Sequence, residues 1–264
     1  MFGLLERLIL SPARALGRMR LTARRCESED GGVDDVKGSR FLRRALVVAF
    51  FAIAMAYLEA AVVVYLQRAL SINPLTLFPL RDASSLGGFG TIEIGREIAT
   101  LIMLAMVGWL AGHNAMERMA WVAITFGIWD FGYYAWLWIF IGWPTKLGTF
   151  DLLFLLPVPW VAPVWAPMVI SFALILFGLV VARRLRREEM LRVKLWHVVA
   201  TVIGGLVVIF SFTIDARRIL AGGTPSTFAW PIFVAGLALA VVGVAPLCWS
   251  GKKLTSRNQW DSRR

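Results

Sequence analysis

Six stretches of about twenty apolar residues dominate this chain and decide what it can fold into. They cover about 44–66, 92–111, 120–141, part of 152–182, 196–214 and 228–249. A helix rising about 1.5 Å per residue needs about 20 such residues to cross a hydrocarbon core of about 30 Å. No part of the chain shows the regular short alternating segments of a membrane β-barrel. The expected fold class is therefore all-α: a polytopic membrane helix bundle with six transmembrane helices. Composition agrees. Of 264 residues, 58% are hydrophobic and 17% charged, against roughly 25% charged in a soluble domain. Mean hydropathy is +0.69. An ordinary soluble enzyme, a disordered chain and a fibrous repeat are all excluded.

The fourth stretch is too long for one span. Residues 152–182 carry no charge, and Pro157, Pro159, Pro163 and Pro167 crowd their first half. Proline removes a helical donor and clashes with the preceding turn. Residues 151–160 are therefore expected to form a short interfacial or re-entrant segment. The helix should start near Pro163, because the first helical turn tolerates proline.

Basic residues set the predicted threading. Ten Lys and Arg lie before or at the start of the first stretch, Arg44 being the last of them. One follows the second, six follow the fourth, and five lie in the tail. The alternate connections hold two, one and two. Basic loops stay in the cytoplasm, so both termini are expected there. The net charge of +11 is then mainly a threading signal. It points to anionic lipids at the cytoplasmic face rather than to nucleic acid. The expected location is the cytoplasmic membrane of a bacterium.

The predicted organisation has three parts. Residues 1–40 are a basic cytoplasmic N-terminal segment, amphipathic or disordered, in which 27–35 reads as a Gly-containing acidic linker. Residues 41–250 are the transmembrane domain, and 251–264 a basic cytoplasmic tail. The two halves of the domain do not repeat each other.

The informative residues are the charges left inside the apolar stretches. Each costs about 2.5–3.5 kcal/mol at the centre of a membrane helix, so such residues mark a site or a structural ion pair. They gather in the first half: Glu59, Glu93, Arg96, Glu97 and Asp130, with Asp151 at the expected outer edge. Given the threading, the first five lie in the outer half or middle of the first three helices. At 100° per residue, Glu93, Arg96, Glu97 and Thr100 share one face of the second helix. Asp130, Tyr133 and Tyr134 share a face of the third. On the first, Ala52, Ala56 and Ala60 form a small-residue stripe of the kind that seats a neighbouring helix, with Glu59 beside it. The i, i+3 spacing of Glu93 and Arg96 permits an ion pair. One Arg cannot neutralise four carboxyls, so protons, a cation, water or a cationic solute must complete the balance.

Several chemistries lack their residues. There is no GxSxG, HExxH or Walker motif, and the two membrane-level aspartates, Asp130 and Asp151, do not form a close DxxD-type pair. Cys26 and Cys248 are unpatterned, and His113 and His197 fall at helix ends. No metal-ligand spacing occurs, no cofactor is indicated, and no catalytic residue can be named. The leading expectation is an outward-facing carboxylate, Arg and Tyr site that binds or translocates a proton, a cation or a small polar solute. The candidates are Glu59, Glu93, Arg96, Glu97, Asp130, Tyr133, Tyr134 and Asp151. Two alternatives stay open. One is a membrane-embedded enzyme acting on a lipid-linked substrate by carboxylate acid–base chemistry. The other is an assembly subunit whose polar network is purely structural. Six helices are few for a stand-alone transporter, so a homo-oligomer or a membrane-protein partner belongs to the first reading. Trp136, Trp138, Trp143, Trp160 and Trp165 are expected to form an outer aromatic belt.

Overall fold

A computed structural model of the chain describes residues 29–70, 78, 87–187, 189–191, 193–249 and 251–253. The reading of the first 28 residues lies outside these. The chain divides into a unit of residues 1–39 and one of residues 40–264. Of the first unit, the described residues are the opening turns of a long helix. The structure is mostly helical, and six helices are long and apolar enough to cross a membrane. That is compatible with a multi-pass integral membrane protein.

Helix α1 runs Glu29–Ala69, α2 Gly87–Ala111 and α3 Ala115–Ile141. The acidic stretch expected to be a linker is helical from Glu29 onward. Two glycines do not break a helix that the following apolar residues propagate; each costs about 1 kcal/mol relative to alanine. The termini of α3 follow from local chemistry. Asn114 has extended backbone, and its side chain accepts the Glu117 N–H at 2.9 Å, a standard N-cap. Gly142 closes the helix at φ 65° and returns its N–H to the Trp138 carbonyl, a conformation glycine adopts without strain.

Packing of the first three helices rests on the expected small-residue stripe. Ala52, Ala56 and Ala60 are fully buried. Gly132 of α3 comes so close to Ala56 that a Cβ at position 132 would overlap its methyl group. Arg44 ties the start of the first span to the α2–α3 connection. Its guanidinium meets Glu117 at 3.2 Å and the ring of His113.

The proline-crowded segment is a β-hairpin. Strand β1 (Phe150–Phe154) pairs antiparallel with β2 (Trp160–Pro163), placing Asp151 opposite Ala162 and Phe154 opposite Trp160. The register slips between Leu152 and Phe154, as at a β-bulge. Prolines hold the intervening residues out of the helical region. Helix α4 (Trp165–Arg186) then starts two residues after Pro163, with Pro167 in its first turn.

Strand β3 (Glu189–Leu191), helix α5 (Leu195–Thr213), the short α6 (Ala216–Leu220), α7 (Trp230–Trp249) and strand β4 (Gly251–Lys253) complete the chain. β3 and β4 pair antiparallel, so the start of the basic tail is tied to the α4–α5 connection. Helices α5 and α7 meet backbone to backbone where Gly204 faces Gly236 and Ala240. A cluster around Ala162, Ala166, Val208, Phe212 and Phe233 joins this pair to the hairpin and to α4. Asp215 accepts hydrogen bonds from Ser226 N–H and Oγ at 2.6 and 2.8 Å.

Candidate functional site

The face of α2 that carries charge is also its packed face. Glu97, Thr100, Leu104 and Gly108 are buried at successive turns, and Glu93 and Arg96 sit one turn earlier. Arg96 spans two carboxylates. Its Nε donates to Glu93 Oε2 at 3.0 Å and its Nη2 to Oε1 at 2.5 Å, while Nη1 pairs with Glu59 of α1. Thr100 Oγ1 donates to the other oxygen of Glu59 at 3.2 Å. Glu59 and the third and fourth turns of α2 therefore share one level. The expected Glu93–Arg96 pair forms, and it extends into a triad with Glu59.

The remaining carboxyls find neutral partners. Glu97 accepts the Leu155 N–H at 3.0 Å on both oxygens. Leu155 lies just past the end of β1, where its N–H is free of the strand ladder. Asp130 of α3 accepts from Ser171 Oγ of α4 at 2.6 Å. Asp151 accepts from Tyr134 Oη at 3.0 Å and from the Leu152 N–H at 2.9 Å. Burial lifts the Asp151 carboxyl to about 6, against the pull of these two donors. Glu97, Asp130 and Asp151 are all at least nine-tenths buried, and among the described residues their hydrogen-bond donors are all neutral.

All eight candidate residues line one cavity of about 360 Å³. It lies where α1 ends, α2 begins and α3 ends, and the hairpin forms one wall. Its other walls are apolar and aromatic, and include Phe126, Trp129, Phe154, Trp160 and Phe212. Ligand pockets are typically about 300–1,000 Å³, mostly apolar, with few polar groups. Among the described residues, no group of three or more His, Cys, Asp or Glu is placed to hold a metal ion.

Two assignments change. Tyr134, expected beside Asp130, hydrogen-bonds Asp151, because the hairpin brings that carboxyl onto the α3 face. The partner of Asp130 is Ser171, which the sequence reading passed over. Its signal was a lone hydroxyl within the long uncharged stretch. The aromatic belt also divides. Trp138 is exposed, whereas Trp143 is buried against Tyr134 and Leu137, and Trp160 lines the cavity. Gly205, which has nothing within 4 Å of where a Cβ would stand, opens onto the cavity rather than packing as Gly204 does.

No protein-family model, curated protein or solved structure matches the chain.

Proposed function

We propose that the protein is a multi-pass protein of a bacterial cytoplasmic membrane, with both termini inside, whose outward-facing cavity binds or translocates a proton, a cation or a small polar solute. One observation carries this reading. Arg96 is already paired with Glu59 and Glu93, yet three more buried carboxyls line the same cavity and accept hydrogen bonds from neutral donors. Carboxylates in a low-dielectric site need positive charge or protons. What the protein itself omits, a solute or proton from outside can supply.

The orientation rests on the basic loops. Residues 1–40, the α4–α5 connection and the tail of 251–264 then face the cytoplasm, where their charge favours anionic lipids. The hairpin becomes an outer interfacial or re-entrant element. Assembly as a homo-oligomer or with a membrane partner would supply the surface that six helices alone do not.

The test is thermal unfolding of the purified protein against a panel of inorganic cations, organic cations and uncharged polar solutes. A ligand at 100 times its Kd adds about 2.7 kcal/mol to the native state. At least one panel member should raise the wild-type Tm, and Glu97→Gln and Asp130→Asn should lose that response while keeping a monodisperse size-exclusion profile. If both variants fail to assemble, or respond as wild type does, the carboxyls are structural and the reading falls.

A further inference from the structure

The cavity's walls narrow the choice of solute, and this step rests on the binding reading above. A bare divalent ion needs a convergent shell of about six or more oxygens. The cavity's carboxyls are instead held apart by separate anchors. Glu97 is fixed to the hairpin, Asp130 to α4, and Asp151 to Tyr134. An anion would meet five carboxyls and a guanidinium already occupied on both sides.

Between these anchors runs a continuous aromatic row. Phe126 lies 5.4 Å from Trp129, Trp129 6.4 Å from Phe154, Phe154 5.4 Å from Trp160, and Trp160 6.3 Å from Phe212. These five rings come from α3, the hairpin and α5, and every one lines the cavity. The faces of aromatic rings attract organic cations, more strongly once water is excluded.

We propose that the cavity takes a monovalent organic cation with an apolar body, an alkyl or aryl ammonium, whose charge lies among Glu97, Asp130 and Asp151 and whose body lies along the aromatic row. A single positive charge needs no tight oxygen shell, so spread carboxyls suit it. The volume of about 360 Å³ suits a molecule of about ten to fifteen heavy atoms.

The experiment compares three probes on the full-length protein in lipid nanodiscs. Benzyltrimethylammonium carries both charge and ring, tetramethylammonium only charge, and 3-phenylpropanol only the ring. Binding is followed by tryptophan fluorescence and calorimetry. Benzyltrimethylammonium should bind at least tenfold more tightly than either fragment. Glu97→Gln and Asp130→Asn should each weaken it at least tenfold. Phe154→Leu should weaken it several-fold. Equal affinity for tetramethylammonium overturns the inference and leaves the cation site standing. So does binding of none of the three by a protein that still answers other members of the solute panel. Equal affinity for 3-phenylpropanol, insensitive to both carboxyl variants, overturns the inference and the underlying reading together.

Discussion

Removing the Arg96 guanidinium is the most informative single perturbation of the polar network. In Arg96→Gln the bidentate contact to Glu93 and the pairing with Glu59 vanish together. The side chains of Glu59, Glu93 and Arg96 are only 10%, 16% and 20% exposed. Breaking a buried ion pair from one side costs about 3–5 kcal/mol, because the surviving charge stays buried and uncompensated. The residual exposure allows some water to reach the carboxylates, so the low end, about 3 kcal/mol, is expected. Thr100 can still donate to Glu59, which limits the loss further. The assay is reversible unfolding in mixed micelles, titrated with a denaturing detergent. Restoring the charge balance should restore stability. In Arg96→Gln combined with Glu59→Gln and Glu93→Gln no uncompensated charge remains, and most of the loss should return. A loss within about 0.5 kcal/mol in Arg96→Gln would refute the reasoning, since surface changes typically fall in that range. So would a triple variant as unstable as the single one.

Other consequences follow from the same geometry. Asp151 titrates near 6 when folded and near 3.8 when unfolded. The folded state therefore holds the extra proton, and stability falls as pH rises from about 4 through 6. The span of about two pH units corresponds to at most about 3 kcal/mol, and Asp151→Asn should make the slope in a pH series of unfolding curves shallower by that amount. Gly204→Ala drives a methyl into the backbone of Gly236 and Ala240. Such overpacking costs about 1–3 kcal/mol, and the drop in Tm should exceed that of Gly205→Ala, whose position is open. Threading is checked by single cysteines in a background lacking Cys26 and Cys248. A membrane-impermeant maleimide should label Lys146→Cys in intact cells, and Arg187→Cys only after permeabilisation.

Much of this was legible in the sequence because membrane insertion imposes a coarse rule. A span needs length and apolarity, and all six appear at their expected places. The alanine stripe and the Glu93–Arg96 pair also follow from helical periodicity alone. What stayed hidden depends on contacts between distant segments. The prolines of residues 151–160 forbid a helix there, but they do not say that Phe150–Phe154 pairs with Trp160–Pro163. That pairing moves Asp151 onto Tyr134 and presents the Leu155 N–H to Glu97. Ser171 was hidden for the same reason: a lone serine says nothing until α4 packs against α3. The tryptophans show the limit of composition, since one residue type serves both an exposed position at Trp138 and a cavity wall at Trp160.

The central claim is that the cavity's carboxyls divide into two that share Arg96 and three left for a positive occupant. The most direct measurement is the ligand-induced rise in Tm, taken side by side for Glu97→Gln, Asp130→Asn, Asp151→Asn and Glu93→Gln. In Glu93→Gln the Arg96–Glu59 pair remains neutral, so that variant should keep the wild-type response. The other three should fold and lose most of it. Equal loss in all four variants, or an undiminished response in all four, would contradict the division.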